Sequence, residues 1–380
     1  MPGYDVAVIG LGAMGSFTAL ELARRGASVI GFDRFSPPHE KGSHGGETRA
    51  FRTIYTEHPD YVPLMKRALE HWERLAAAGH PELLTWTGVL SLGGADSPLI
   101  EGIRQSAGVY GLPVQTLSAD EVRRRFPALN PPGNFTGLLD GRAGLIDVAA
   151  ALGCALQGAR SLGAELRLDQ EVQGWSVEGR EVQVSTRAEQ VRAKRLVVAA
   201  GAWSGAILKA LKLPLVARRQ VLTWFRPRRP EWFQPGAAPV FVFAPGGFYG
   251  FPEIAGAGVK IAYHEKGDPL PEFPVQVPPP SEADLTPLVR DITRFVPGLL
   301  DPRRPPLDQM LAAKTCLYTM TPDGHFILDR HPRYEQVLFG AGFSGHGFKF
   351  APVMGEVLAD LALEGRTDRP AEFLRLEGRF

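Results

Sequence analysis

The sequence contains few cysteines, almost no net charge and no long apolar run. Only Cys154 and Cys316 occur among its 380 residues, too few for a disulfide framework or a metal cluster. The formal net charge is +1 at pH 7, so no strong field attracts nucleic acid or an anionic membrane. No uninterrupted apolar span reaches the length of a membrane crossing. We therefore expect no metal, no nucleic-acid partner and no membrane partner.

The composition is typical of a globular protein with more than one domain. With 380 residues, 44% of them hydrophobic, the chain can bury a large core and is long enough for two domains. The first strand pattern begins at Tyr4, which leaves no room for a signal peptide. We therefore expect a cytoplasmic protein.

The amino terminus carries a nucleotide-binding fingerprint. The apolar run 4–9 predicts a parallel strand buried on both faces, and it leads directly into the pattern Gly-x-Gly-x-x-Gly. Gly10 allows the tight turn, Gly12 lets the backbone approach a pyrophosphate, and Gly15 permits close packing of helix on strand. The helix that begins near Ala13 directs its free amides toward the phosphates.

A complete βαβ unit surrounds these glycines. A helix pattern over 13–25 ends at Gly26, a second apolar run covers 27–32, and Asp33 follows it, where a carboxylate would hold ribose hydroxyls. Asp33 disfavours the 2′-phosphate of NADP and leaves NAD or FAD, although the adjacent Arg34 weakens this step. A glycine-rich loop in some other α/β protein is the alternative, and the complete unit argues against it.

A polar, glycine-rich loop with two arginines follows at 42–52. Because Arg49 and Arg52 are three residues apart, a helical turn would place both guanidinium groups on one face, where they could hold an anion. On composition alone, a solvated surface loop is the favoured interpretation.

The rest of the chain predicts an alternation between two kinds of layer. Helix patterns cover 61–78, 97–110, 118–125, 148–162, 282–295 and 351–363. Strand patterns cover 86–92, 165–168, 170–176, 182–185, 190–193, 220–225, 240–243, 247–252 and 259–264. The four pieces from 165 to 193 predict a small antiparallel meander, and prolines over 269–280 predict an external connector. The apolar run 196–200 and the strand near 337, which leads into a glycine loop, predict a return to the first sheet.

Six motifs spread over nearly the whole chain resemble the monomeric sarcosine oxidase and N-methyltryptophan oxidase family of FAD-dependent amine oxidases, part of the D-amino-acid oxidase-like group. Besides the fingerprint they are Gly-Ser-His-x-Gly-Glu-Thr-Arg-x-x-Arg at 42–52, Tyr-Gly-Phe-Pro at 249–252, Lys-Ile-x-Tyr-His at 260–264, Lys-Thr-Cys-x-Tyr-x-x-Thr-Pro-Asp at 314–323 and Ala-Gly-Phe-Ser-Gly-His-Gly-Phe-Lys at 341–349. The fingerprint occurs in many flavoproteins and NAD enzymes. The Cys316 and Lys349 motifs together are much more specific.

The resemblance implies an α/β fold with two domains. One is a Rossmann-like FAD-binding domain of the glutathione-reductase type, and the other is an α+β substrate domain built on an antiparallel sheet. We expect 1–83, 144–214 and 318–380 to form the FAD-binding domain, and 84–143 and 215–317 to form the substrate domain. A monomer is expected.

The resemblance also implies covalently held FAD. Cys316 matches the cysteine joined to the flavin 8α-methyl as a thioether, whereas composition alone favours a buried, inert cysteine. The residues expected to bind FAD are Gly10, Gly12, Gly15, Asp33, Arg34, Ser43, His44, Arg49, Val172, Cys316, Tyr318, Gly342, Gly345, Gly347 and Lys349.

Further matches imply the substrate site. Arg52 and Lys349 match the pair that binds the substrate carboxylate, where a planar fork and a point cation can jointly fix an acid group. Lys260 matches a lysine that helps oxygen accept electrons. The residues expected in catalysis are Lys260, Arg49, His264 and Tyr249, and those expected to bind substrate are Arg52, Lys349, Tyr249 and His264. His264 and Tyr249 match active-site wall residues, and either could equally be a satisfied core residue.

The implied reaction is oxidation of a secondary amino acid such as sarcosine, with O2 as acceptor, to glycine, formaldehyde and peroxide. N-Methyltryptophan, pipecolate and other cyclic amino acids stay open as substrates, because no motif fixes the size of the pocket. Two other classes also stay open: an NAD-dependent dehydrogenase, supported only by the fingerprint, and a non-catalytic FAD-fold carrier, which would lack the pair of Arg52 and Lys349.

Overall fold

The computed structural model describes residues 3–244, 246–270 and 277–380. The helices are α1 (Ala13–Arg24), α2 (Tyr61–Ala77), α3 (Pro98–Tyr110), α4 (Ala119–Arg125), α5 (Val148–Ser161), α6 (Ser204–Ile207), α7 (Glu282–Phe295) and α8 (Ala351–Leu363). The strands are β1 (Tyr4–Ile9), β2 (Val29–Phe32), β3 (Thr48–Phe51), β4 (Leu84–Trp86), β5 (Val89–Gly94), β6 (Gln115–Ser118), β7 (Phe135–Asp140), β8 (Gly144–Asp147), β9 (Glu165–Arg167), β10 (Val172–Glu178), β11 (Glu181–Thr186), β12 (Gln190–Val198), β13 (Val216–Phe225), β14 (Val240–Phe243), β15 (Phe248–Phe251), β16 (Val259–Tyr263), β17 (Asp268–Pro269), β18 (Met310–Met320), β19 (Ile327–His331) and β20 (Tyr334–Ala341). Residues 271–276, half of the predicted connector at 269–280, lie outside the described residues. In the part of the chain that is described, no helix has the length and apolarity to cross a membrane.

Side-chain caps mark the starts of helices α4 and α5. At the start of α4, the Ser118 hydroxyl accepts from the Glu121 amide at 3.3 Å, and the Glu121 carboxylate accepts from the Ser118 amide at 2.7 Å, which satisfies two otherwise free donors. Asp147 accepts from the Ala150 amide at 2.8 Å and begins α5. Gly163, with φ +93°, follows that helix at a position where glycine is the least strained residue.

The first sheet has eight strands in the order β10-β11-β12-β1-β2-β9, with β20 beside β12 and β19 beside β20. Strands β12, β1, β2 and β9 run parallel, as does β20 next to β12. Helices α1, α2, α5 and α8 pack together against one face of this sheet in its largest apolar core. The parallel strands therefore end at one edge, where ligands of such sheets bind.

The predicted antiparallel meander is partly wrong. Strand β9 pairs in parallel with β2 instead of joining β10 and β11. The two predicted pieces at 190–193 and 196–200 form one strand, β12, whose first half pairs with β11 and whose second half pairs with β20. The single long strand β12 therefore leads from the antiparallel strands β10 and β11 back to the edge of the sheet where ligands bind.

The second sheet has nine strands in the order β17-β13-β16-β15-β14-β5-β7-β6, with β18 beside β13. Its pairs are antiparallel except for β14 and β5. Helix α7 packs against its phenylalanine-rich face through Leu288, Ile292 and Val296. A third, three-stranded sheet joins β3, β8 and β4. The α/β fold with an antiparallel second layer is confirmed.

The division into two domains stays a prediction. Strand β18 belongs to the second sheet up to Met320, so the boundary predicted at 317/318 would cut a continuous strand. Strand β4, assigned to the substrate domain, pairs with β8 and not with the second sheet. We therefore propose moving the later boundary to follow Met320.

Candidate active site

A cavity of about 650 Å³ opens at the carboxyl edge of the parallel strands. Its wall includes Gly10 after β1, Asp33 after β2, Ala200 after β12 and Gly342 after β20. The volume is within the roughly 300–1,000 Å³ typical of cofactor sites. The first sheet therefore provides one large site at the edge that its topology favours.

Most residues predicted to bind FAD lie in the wall of this cavity. They are Gly10, Gly12, Asp33, Arg34, Ser43, His44, Arg49, Val172, Tyr318, Gly342, Gly345 and Gly347. Gly15 lies behind the wall, where a Cβ would come 1.7 Å from the Gly10 carbonyl oxygen, so only glycine permits this packing. Cys316 and Lys349 are buried next to the wall residues Leu317 and Phe348.

The wall has the polar groups that a dinucleotide needs. Asp33 accepts from the Leu11 amide at 2.7 Å and from the Phe35 amide at 2.8 Å, which fixes its carboxylate and leaves lone pairs for a ribose. Helix α1 begins at Gly12 without a side-chain cap, so its first amides are available to phosphates. Within the described ranges, Gln170 Oε1 and Thr319 Oγ1 are buried in this wall without hydrogen-bond partners. These groups fit FAD.

Arg49 and Arg52 do not share a helical face, so that expectation is wrong. Thr48–Phe51 forms β3, because it pairs with β8. Arg49 lies in the cavity wall and donates to the Thr48 and Ser43 carbonyls at 2.9 and 2.8 Å. Arg52 comes directly after β3, and its side chain belongs to a separate group of polar side chains. The loop is a folded part of the site rather than a solvated surface loop.

Lys260 is buried and has no carboxylate within 4.0 Å among the described residues. Its Nζ donates to the Gly46 and Thr48 carbonyls at 2.8 and 2.7 Å, and lies 4.6 Å from the centroid of the Phe251 ring. Burial lowers the pKa of Lys260 well below its ordinary value, and the nearby Arg49 charge acts in the same direction. The Lys260 side chain is therefore enclosed by the protein and not exposed to solvent.

Cys316 lies on β18 opposite Gln220 and is 3% exposed. It packs in an apolar cluster that also includes Tyr249 and Tyr318. Burial raises the pKa of the Cys316 thiol, whereas the charges of Arg49 and Lys260 favour the thiolate. The cysteine is therefore next to the cavity wall and near two cations that would assist its ionisation.

Arg52 is paired with a carboxylate that the sequence patterns did not identify. Its Nη2 donates to both carboxylate oxygens of Glu57 at 2.6 and 2.8 Å, and Nη1 donates to Thr56 Oγ1 at 2.9 Å. Although burial raises the pKa of Glu57, the Arg52 charge lowers it to about 2. Glu57 therefore balances the positive charge of Arg52.

Lys349 lies close to Arg52, as predicted. Its Nζ lies 5.3 Å from the centroid of the Tyr55 ring, and the Arg52 guanidinium carbon lies 4.8 Å from the same centroid. Lys349 also donates to the His346 carbonyl at 2.6 Å. Burial and the Arg52 charge lower the pKa of Lys349 to about 7. Two residues almost three hundred positions apart thus form one cationic centre.

His264 and Tyr318 connect this cationic centre with the cavity. His264 Nδ1 is hydrogen-bonded to the Tyr318 hydroxyl at 3.2 Å, and Tyr318 lines the cavity. Burial lowers the pKa of His264 to about 4, so the imidazole is neutral at pH 7. Burial raises the pKa of Tyr249, and this residue packs in the same apolar cluster as Cys316 and Tyr318.

The sequence patterns did not identify three further residues of the site, Glu57, Tyr55 and His346. Glu57 lies five positions after Arg52 with Tyr55 between them, and that local spacing was the available signal. His346 lies inside the glycine-rich motif at 341–349, which the sequence associates only with the cofactor and with Lys349.

In the described ranges, no group of three or more His, Cys, Asp or Glu residues could hold a metal ion.

Comparison with known proteins identifies the family. The model of the FAD dependent oxidoreductase (DAO) family matches residues 5–361. A monomeric sarcosine oxidase from Streptomyces avermitilis is 38% identical over 97% of this chain and 96% of that protein. An N-methyl-L-tryptophan oxidase from Salmonella dublin is 32% identical over 96% of this chain and 95% of that protein. The open form of NikD, an amino acid oxidase essential for nikkomycin biosynthesis, has a TM-score of 0.86 at 26% identity, covering 99% of this chain and 98% of that chain.

These matches confirm the resemblance that the motifs indicated, and they establish FAD as the cofactor. The family model spans nearly the whole chain, and the cavity wall has the groups that FAD needs. The protein belongs to the FAD-dependent oxidoreductase family, within the group that contains monomeric sarcosine oxidases and N-methyl-L-tryptophan oxidases.

Proposed function

We propose that the protein oxidises secondary amino acids with O2 as acceptor and that sarcosine is its preferred substrate. The observation that carries this proposal is the cationic centre of Arg52 and Lys349, which lies beside the FAD cavity and suits one carboxylate. Similarity to a monomeric sarcosine oxidase supports sarcosine. Similarity to an N-methyl-L-tryptophan oxidase keeps that larger amino acid as the alternative.

FAD, when bound, accepts two electrons from the carbon–nitrogen bond of the substrate and delivers them to oxygen. In this proposal the amides of α1, Asp33, Gln170 and Thr319 hold the dinucleotide. Cys316 would hold the flavin as a thioether, supported by its position beside the cavity wall and by the cations of Arg49 and Lys260. Formation of that bond would need a two-electron oxidant, for which O2 would serve through the flavin itself.

The substrate carboxylate binds Arg52 and Lys349 by taking the place of Glu57. Arg52 Nη2 already donates to both oxygens of a carboxylate, so it can do the same for an amino acid's acid group. Exchange of one carboxylate for another conserves the charge balance of the buried site. The acid group then sets the angle at which the reacting carbon meets the flavin.

Oxidation requires the neutral amine, and the site favours that form. The charges of Arg52 and Lys349 disfavour a second positive charge on the bound substrate, which lowers the pKa of its ammonium group. His264 is neutral at pH 7 because burial lowers its pKa to about 4, so it can accept a hydrogen bond from the amine. No carboxylate base is needed for this step.

Lys260 supplies positive charge where reduced oxygen species form, because an anion that develops beside it favours the protonated ammonium and opposes the effect of burial on its pKa. Its Nζ is held by two backbone carbonyls and the Thr48 hydroxyl, and no acidic side chain neutralises it within the described ranges. A preorganised charge in a dry site stabilises a developing anion far more than it would in water.

The monomeric state and the cytoplasmic location stay predictions.

Oxygen uptake by the holoenzyme tests the proposed function. The substrates are sarcosine, N-methyl-L-tryptophan, L-pipecolate and dimethylamine, with NAD reduction measured in parallel. We expect the highest kcat/KM with sarcosine, together with peroxide and formaldehyde in equal amounts. A higher kcat/KM with N-methyl-L-tryptophan would show that this amino acid, and not sarcosine, is the preferred substrate. NAD reduction without peroxide would contradict the proposed class of reaction.

A further inference from the structure

The ring of Tyr55 lies close to both cations of the carboxylate site. It is fully buried in the segment between β3 and α2. The Arg52 guanidinium carbon and the Lys349 Nζ are 4.8 and 5.3 Å from its ring centroid. The face of an aromatic ring attracts cations without neutralising them, so Tyr55 can bring two like charges together and leave both available to an anion.

A hydrogen-bond chain fixes the orientation of the Tyr55 ring. His346 Nε2 is 2.9 Å from the Gly324 carbonyl oxygen, which can only accept, so Nε2 carries the hydrogen. Burial lowers the pKa of His346 to about 3, so the ring is neutral and Nδ1 must accept. The Tyr55 hydroxyl therefore donates to Nδ1. A single tautomer of His346 thus sets both bonds.

His346 also holds the second cation directly. Its carbonyl accepts from Lys349 Nζ at 2.6 Å. The side chain of His346 orients the Tyr55 ring, which lies close to Arg52 and Lys349. The backbone carbonyl of His346 orients Lys349 directly. One residue therefore couples the positions of both charges.

The carboxy-terminal segment anchors this chain. Arg379 donates to the Asp323 carboxylate at 2.9 Å in two contacts and to the Phe326 carbonyl at 2.6 Å. Asp323 in turn accepts from the His325 amide at 3.0 Å. These bonds enclose Gly324, whose carbonyl holds His346. The position of that carbonyl thus depends on Arg379.

We propose that Tyr55 and His346 are positioning residues that set the spacing of Arg52 and Lys349 for a monocarboxylate ligand, and that Arg379 supports them from the carboxy-terminal segment through Asp323 and Gly324. The inference rests on the proposed function, because it concerns the same carboxylate site. It adds residues that contact neither the cofactor cavity nor the substrate acid.

Acetate binding to the FAD-loaded enzyme tests the inference, measured as a change in the flavin absorbance spectrum. Acetate is a carboxylate with no amine to oxidise, so this Kd is defined even if sarcosine is not the substrate. We expect Tyr55→Leu to raise the acetate Kd about tenfold or more, because it removes the shared ring. Tyr55→Phe keeps the ring and should raise the Kd by about threefold to tenfold.

A matched pair of His346 variants separates positioning from simple loss of folding. His346→Asn places an amide oxygen near the position of Nδ1, can still accept from Tyr55, and should keep most of the affinity. His346→Gln can reach Gly324 but cannot hold the Tyr55 hydroxyl, and should resemble Tyr55→Phe. The double variant Tyr55→Phe with His346→Gln should be no weaker than either single variant, because both remove the same bond.

Arg379→Ala should raise the acetate Kd, and Arg375→Ala is its control. Arg375 is an exposed arginine of the same segment whose side chain makes no hydrogen bond or ion pair in the described ranges. In the Tyr55, His346→Gln and Arg379 variants, kcat/KM should fall much less with dimethylamine than with sarcosine. Native acetate affinity in folded, FAD-loaded variants, or equal losses with both amines, would overturn the inference. Failure of the proposed function would instead appear as no oxidation by the unmodified enzyme.

Discussion

The bond between Arg52 and Glu57 gives a prediction about how substrate enters the site. If the substrate carboxylate replaces Glu57, then Glu57 competes with it for Arg52. Glu57→Gln keeps the size of the side chain but removes the competing charge. The variant should therefore bind acetate and sarcosine more tightly than the unmodified enzyme, although it has lost a native ion pair.

The structure sets the size of this effect. Burial raises the pKa of Glu57, but the charge of Arg52, together with those of nearby groups such as Lys349, lowers it from 4.5 to about 2. This net shift corresponds to about 3 kcal/mol in favour of the charged carboxylate, and Arg52 makes the largest favourable contribution. The Glu57 side chain is 26% exposed, so solvent screens part of this energy, and glutamine retains one acceptor for Arg52. Loss of the competing charge should therefore make ligand binding more favourable by about 1–2 kcal/mol, which is a decrease in Kd of roughly 5–30-fold.

Titration of the flavin absorbance with acetate measures this Kd. Glu70→Gln is the control, because it makes the same chemical change in an exposed ion pair with Arg67 and should leave the Kd unchanged. Weaker acetate binding in Glu57→Gln would refute the exchange and would show that Glu57 orients Arg52 for the ligand.

The same pair predicts the pH dependence of stability. The pKa of Glu57 in the folded protein is depressed, so its contribution to the free energy of unfolding is present above pH ~4.5 and is lost as the pH falls toward ~2. Glu57→Gln should remove this part of the acid sensitivity. Chemical denaturation of both proteins between pH 3 and 7 checks the expectation.

Three further predictions concern the cofactor, oxygen and the second cation. If Cys316 holds the flavin covalently, acid-precipitated holoenzyme should stay yellow, and the Cys316→Ala variant should give a colourless pellet. A colourless pellet from fully loaded, active native enzyme would contradict the thioether. Lys260→Met should slow flavin reoxidation by ~10²–10³-fold and flavin reduction much less, as separated by stopped-flow absorbance; equal losses would make Lys260 structural. Because burial and Arg52 lower the pKa of Lys349 to about 7, acetate affinity should fall as the pH rises through that value, and Lys349→Met should bind about 2–5 kcal/mol more weakly without this pH dependence. A native-like pH profile in Lys349→Met would assign the titration to another group.

Local sequence signals predicted the elements well. The fingerprint at Gly10, Gly12 and Gly15 identified the first βαβ unit, because a tight turn and close helix packing require glycine. The helix pattern at 118–125 begins at the observed cap Ser118, whose side chain satisfies an amide only a few residues away. Family motifs then indicated Arg52 and Lys349, which composition alone assigns to the solvated surface.

The misses have a common physical cause in non-local pairing. Residues 48–51 became a strand because their partner β8 begins at Gly144, and nothing near the loop in sequence encodes that pairing. Strand β12 merged two predicted strands because its halves meet different neighbours. Tyr55 and His346 lie 291 positions apart, so their bond could not be derived from spacing.

The central claim is that this chain oxidises sarcosine through FAD and passes the electrons to oxygen. Anaerobic mixing of the holoenzyme with sarcosine, followed by admission of air, tests it most directly by flavin absorbance. We predict bleaching of the flavin on mixing and recovery in air with one peroxide for each sarcosine consumed. A flavin that stays oxidised in saturating sarcosine, or one that bleaches but does not recover in air, would contradict the account.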